Sequence, residues 1–251
     1  MVGVRFAAFV AAAALAVTGA VFTAPAAATT SAACGSGANG SAGYSYAGNQ
    51  STTAAHGVRA TITVLAPPTV AAGHVGAWIG VGGPKAGPNG ADEWIQAGIG
   101  ALEGGTPFVY AELMRPGGGR TFLTLHENVK AGESHQLAVL EVKGRPNAWR
   151  VWLDGTPAGD PVYLAGSSGR WKPMATAESW NGGRPVCNAF AFRFQQVSVA
   201  TAPGGSWAAF RPGYRFLDHG YRLQQLLPAP RYARVTAGGT LRPYAFDAAS
   251  V

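Results

Sequence analysis

The sequence predicts an all-β sandwich or barrel, on three observations. Apolar and polar residues alternate at period two in short runs. Gly, Pro and Asn clusters separate those runs at short intervals, and no segment beyond the N-terminal leader carries a sustained helical period.

Residues 1–28 read as a secretory signal peptide: Arg5 supplies the charge, Phe6 to Phe22 the apolar run, and Ala26-Ala27-Ala28 the small-residue cleavage site. That run is short beside the roughly 20 apolar residues of a membrane span, and no later segment approaches that length. A secreted, extracellular protein with no membrane association after cleavage is expected. Residues 29–43 are mostly Ala, Ser and Gly, too poor in large apolar side chains to pack, and read as a flexible leader.

Order is expected from Tyr44, with a single β-sandwich domain over 44–215 and a C-terminal extension over 216–251. The roughly 220 residues left after the leader suffice for one large core. Val58 to Val64 alternates strictly and is a strand with one buried face, ended by Ala66-Pro67-Pro68. Further strands are expected at Ala77 to Val81, Glu93 to Gly98, Phe108 to Met114, Phe122 to Glu127 and Gln136 to Val142, then at Trp149 to Leu153, Lys172 to Trp180 and Ala189 to Ala200. Gly117-Gly118-Gly119 is a loop, and Asp154-Gly155 signals a two-residue hairpin. Tyr221 to Leu227 places Leu223, Leu226 and Leu227 on one side of a short helix, and Thr236 to Val251 reads as an edge strand or a frayed end.

Cys34 and Cys187 are the only cysteines. An oxidising compartment lets them pair across a loop of about 150 residues, worth on the order of 5 kcal/mol in the chain-entropy model. The other reading is two free buried thiols. The net charge is +7 and the pI about 9.7, yet only 12% of residues are charged and the Arg residues are scattered singly. That argues against a nucleic-acid partner, which calls for clustered Lys and Arg, and leaves weak attraction to an acidic polymer.

Several chemistries are missing. His56, His74, His126, His135 and His219 never fall in a metal-ligand spacing, and no Cys cluster or Asp-rich loop accompanies them. No metal site and no cofactor are expected. There is no Gly-x-Ser-x-Gly elbow, and the glycine-rich stretch Gly80 to Gly87 lacks the Gly-Lys-Ser/Thr ending of a phosphate loop. What remains is Gln96 in Trp94-Ile95-Gln96-Ala97-Gly98 and Glu178 in Ala175-Thr176-Ala177-Glu178-Ser179-Trp180. Both are polar residues in apolar, strand-like surroundings, where burial without a partner costs several kcal/mol.

Six blocks in order carry a resemblance: Tyr44 to Gly48, Ala77 to Gly83, Glu93 to Gly98, Tyr110 to Pro116, Trp149 to Asp154 and Thr176 to Trp180. From about Tyr44 to Phe210 the chain resembles the glutamic peptidases, the eqolisin family, and a GC-rich bacterial source fits its many Ala, Gly and Arg codons. The resemblance implies a concanavalin A-like jelly-roll β-sandwich of two antiparallel sheets and a secreted endopeptidase with a Gln and Glu catalytic pair. It carries the catalytic glutamine onto Gln96 and the glutamate onto Glu178. Gly82, where many members have Asp, Ser179 and Leu113-Met114 depart from the pattern.

The chemistry of such a pair stands independently of the family. A carboxylate can deprotonate a water and later protonate the leaving amine, while a neighbouring amide donates to the oxyanion. Activity in acidic medium on a polypeptide substrate is the expectation. Trp78, Trp94 and Trp180 would wall an extended substrate, Glu112 reads either as a second carboxylate near Gln96 or as a surface charge, and the protein is expected to act as a monomer. Against this, a lone strand Gln usually faces solvent, and Trp78, Trp149 and Trp152 suit a sandwich core. The competing function is a non-catalytic, lectin-like module binding carbohydrate or cell-wall polymer. Geometry separates the two: in an enzyme, the Gln96 amide and the Glu178 carboxylate converge within about a hydrogen bond or one bridging water, whereas opposite sheets or faces favour binding.

Overall fold

The computed structural model describes residues 43–227 and 244–250. The signal peptide, most of the leader and Cys34 lie outside the described residues. Among the described residues, fifteen strands follow one another: β1 (Tyr44–Ser51), β2 (Gly57–Thr69), β3 (His74–Gly83), β4 (Glu93–Leu102), β5 (Phe108–Arg115), β6 (Gly119–His126), β7 (Ser134–Glu141) and β8 (Ala148–Leu153), then β9 (Thr156–Tyr163), β10 (Met174–Trp180), β11 (Ala189–Ala200), β12 (Trp207–Ala209), β13 (Pro212–Leu217), β14 (Tyr221–Leu227) and β15 (Tyr244–Ser250).

They form an antiparallel sandwich of the jelly-roll type. Sheet A has seven strands in the order β13-β1-β10-β3-β4-β5-β6, and sheet B has eight in the order β14-β15-β11-β2-β7-β8-β9, with β12 paired to β11. The sheet neighbours β1 and β10, or β10 and β3, are far apart in sequence, so the site strands are assembled by long crossovers rather than by hairpins alone. Each strand predicted from period-two alternation is present. The Asp154-Gly155 turn has positive φ at both residues, 49° and 80°, the type I′ geometry that suits the twist of β8 and β9.

Four expectations differ from the structure. Tyr221 to Leu227 is strand β14, not a helix: it pairs with β15 along a register broken between Gln225 and Leu227. The segment Thr236 to Val251 contributes β15, which lies between β14 and β11 rather than at an edge, and Phe246 is fully buried. The position 215/216 falls inside β13. Strand β2 runs on through Pro67 and Pro68 to Thr69. Its pairing with β7 stops at Thr63, so the prolines sit beyond the ladder on that side, and the β11 register shifts beside them.

The core lies between the sheets and is asymmetric in residue size. Sheet A sends in Ala47, Ala77, Ala97, Ala111, Ala175 and Ala177 among Val and Ile, whereas sheet B sends in Trp149, Phe190, Phe192, Phe194 and Phe246. Phe194 and Phe246 stack at 4.5 Å between centroids, across the β11–β15 pair that Arg193 and Asp247 clamp with bonds of 2.8 and 2.9 Å. Because side chains alternate along a strand, the odd-numbered inward residues of sheet A leave its even-numbered ones facing outward.

Candidate active site

That outward face is laid out in rows by the strand register. One row runs Met174, Gly80, Gln96, Glu112, Phe122; the next runs Gly48, Thr176, Trp78, Gly98, Tyr110; a third runs Tyr46, Glu178, Gly76, Gly100, Phe108. Glycines in these rows keep the face open between larger side chains. Gly98 is the cross-strand neighbour of Trp78, and a Cβ there would fall 2.7 Å from the Trp78 Cβ. Only glycine lets the two strands approach this closely at that point.

A cleft of about 410 Å³ opens on this face. Gln96, Glu178, Trp78, Trp94 and Glu112 all line it, with Tyr44, Tyr46, Arg120 and Phe216. Gln96 and Glu178 therefore occupy one face of one sheet and one cleft. No hydrogen bond joins them, for the register sets them two strands apart with Trp78 in the row between. Trp180 is one row further out, where it stacks on Tyr44 at 6.0 Å and tilts against His74 at 5.5 Å.

Each of the two has its own holder. Glu178 takes the Trp78 indole N–H on Oε2 at 3.1 Å, and its Oε1 faces His74 Nε2 at 3.1 Å. The Gln96 amide nitrogen donates to Glu112 Oε2 at 3.1 Å, and Arg120 fixes the other Glu112 oxygen. An amide carries two N–H groups, so one remains for a ligand in the cleft. Arg120 is held above its ordinary range: burial lowers it, but the adjacent Glu112 outweighs that.

The phenols respond to the same acidic neighbourhood. Burial first, and then the charge of Glu178, push Tyr44, Tyr46 and Tyr110 upward, Tyr46 and Tyr110 strongly. All three stay protonated and able to donate throughout the acidic and neutral range. Tyr46 is the direct cross-strand neighbour of Glu178, and the Tyr110 hydroxyl sits over Gly76 on its other side.

His74, Arg120 and Phe216 are parts of this site that sequence reading missed. Each is a single residue whose significance comes from cross-strand register, and no local motif marks it. The departure at Gly82 also has a structural counterpart. Its φ is +86°, and a Cβ would fall 2.3 Å from the Glu93 carbonyl oxygen, so this backbone admits no side chain there.

No protein-family model matches the chain, and no characterised protein matches it in sequence. Among solved structures, it is similar to scytalidoglutamic peptidase bound to a transition-state analog inhibitor, at a TM-score of 0.52 and 14% identity, covering 82% of this chain and 98% of that one. The same peptidase with a peptide-based transition-state analog gives a TM-score of 0.50 at 14% identity, with the same coverage. What is shared is the fold.

Proposed function

We propose that this protein is an exported hydrolase of the glutamic-peptidase type, cutting polypeptides bound across the sheet A cleft. The observation that carries the reading is that Gln96 and Glu178, chosen from sequence, line one cleft on one face. Glu178 is the general base toward water and then the acid toward the leaving amine, steadied by Trp78 and His74. Gln96, aimed by the Glu112–Arg120 pair, donates its remaining N–H to the oxyanion. The substrate brings the two to one carbonyl, since no direct bond links them. Tyr46 and Tyr110 are further donors beside Glu178, and Trp78, Trp94 and Phe216 give an extended chain its apolar walls. Export and a Cys34–Cys187 bridge belong to the same reading. The bridge predicts no titratable thiol in the exported protein before reduction.

The test is cleavage of a denatured protein substrate from pH 2 to 8 by the wild type, Glu178→Gln and Gln96→Ala. Both variants should lose at least ~100-fold in kcat/KM while keeping the wild-type fold. A wild type inactive at every pH would sink the hydrolase reading. The aromatic lining of the cleft would then point to a carbohydrate-binding module, to be sought with a glycan array.

A further inference from the structure

Away from the cleft, the connection from β6 to β7 gathers His126, Glu133 and His135, whose ligand atoms all lie within 4.8 Å of one another. His126 ends β6 of sheet A, and His135 is the second residue of β7 in sheet B. Their sequence spacing matches no metal motif. The fold supplies the proximity.

The hydrogen bonds around this group fix its chemistry. Asp154 Oδ2 lies 2.8 Å from His135 Nδ1, and Asp154 Oδ1 accepts the Gln136 N–H at 2.7 Å, so the carboxylate is itself anchored. A His135 that donates Nδ1–H to Asp154 presents the lone pair of Nε2. That lone pair faces Glu133 Oε1 at 3.0 Å, while Glu133 Oε2 is already occupied by the Lys130 N–H at 2.9 Å. Two acceptors this close require a positive centre between them, either a proton or a metal ion. His126 Nε2 adds a third donor atom, 3.6 Å from the same Glu133 oxygen.

We propose that His126, Glu133 and His135 bind a divalent transition-metal ion of the Zn²⁺ class, with Asp154 orienting His135. Bonds of about 2.0–2.2 Å in a tetrahedral ion set the donors roughly 3.4 Å apart. The edges at 3.0 and 3.6 Å straddle that value, and turning the half-exposed His126 closes the remaining edge. Two imidazoles and one carboxylate suit Zn²⁺, Ni²⁺ or Cu²⁺ over Ca²⁺ or Mg²⁺, which prefer all-oxygen shells. An anchored carboxylate behind a ligand histidine is the usual support of such a site. Three protein ligands leave a coordination position to solvent, and the ion ties the edge strand of sheet A to sheet B. This inference is independent of the peptidase reading.

The experiment uses the purified protein without an affinity tag, stripped with chelator and titrated calorimetrically with Zn²⁺. A parallel titration with Co²⁺ is followed by visible absorption. One equivalent per chain should bind. His126→Ala should weaken binding at least ~10-fold and abolish the tetrahedral Co²⁺ bands, and Asp154→Asn should weaken it about 10–100-fold. His126 is exposed, so the metal-free His126→Ala protein should melt as the wild type does. Binding no tighter than ~0.1 mM, or equal binding by His126→Ala, would overturn the proposal and leave a proton alone between His135 and Glu133.

Discussion

Replacing Gly98 by Ala tests whether the site geometry depends on a bare strand backbone. The added Cβ would lie 2.4 Å from the Ala77 carbonyl oxygen and 2.7 Å from the Trp78 Cβ, and the first of these contacts is with backbone that cannot turn aside. Overpacking of this kind costs about 1–3 kcal/mol. Displacing Trp78 also breaks its 3.1 Å bond to the Glu178 carboxylate, and a hydrogen bond to a charged group is worth roughly 1.5–3 kcal/mol. Against these losses, Ala in place of a strand glycine recovers ~0.5–1 kcal/mol of backbone entropy. The net is a loss of roughly 2–5 kcal/mol, or about 4–20 °C in Tm for a domain of this size. Gly76→Ala is the control, because its Cβ would meet only the Tyr110 hydroxyl at 3.2 Å and a Trp78 ring carbon at 3.7 Å. It should stay within about 1 kcal/mol of wild type. Urea denaturation with an unchanged m-value measures both. A Gly98→Ala protein less than ~1 kcal/mol below wild type, or a Gly76→Ala protein equally destabilised, would refute the argument from close approach.

Two further predictions concern pH. Burial, moderated by Arg215 and by the Asn49 bond, pushes the Tyr244 phenol from 10.0 up to about 12. The folded state thus keeps a proton that the unfolded state releases. The associated stability is complete below pH 10 and declines as pH rises toward 12, by on the order of 2–3 kcal/mol; Tyr244→Phe should flatten that decline in denaturation curves, and an undiminished slope would contradict it. Glu93 is fully buried, with Oε1 accepting the Ala165 N–H and Oε2 unpartnered. Burial raises its carboxyl above 4.5 despite the Ala165 bond, so its contribution is present in acid and lost as pH rises through the folded value. Glu93→Gln should therefore gain stability over wild type at pH 7 and lose that advantage at pH 4; equal effects at both would disprove the assignment.

Much of sheet A was legible because its strands alternate cleanly, with Ala, Val or Ile inward and Gly, Trp, Gln or Glu outward. The same alternation marked Gln96 and Glu178 as polar residues in apolar company, and both line the cleft. β14 was not legible, for a physical reason: the bulge between Gln225 and Leu227 breaks period two, leaving Leu223, Leu226 and Leu227 at spacings that imitate a helix. His74 and Arg120 carry no local signal at all. They gain partners only when β10 pairs with β3 and β5 with β6, contacts that close very different lengths of chain. His126 and His135 were set aside on spacing alone, although a strand end and a strand start joined by a short connection can place two imidazoles side by side.

The unequal shares of the core place different packing constraints on the two sheets. Sheet B holds the bulky rings, and a change there must be matched in volume by its neighbours. Behind the site strands, sheet A presents Ala, Val and Ile rather than rings, so exchanging one outward side chain for another near Glu178 or Gln96 needs no repacking of aromatic groups beneath it. One sheet acts as ballast and the other as an exchangeable facing. Recognition by the cleft can be rewritten at its existing side chains without touching the aromatic core, but not at Gly48, Gly80, Gly82 or Gly98, where the sheet needs a bare backbone.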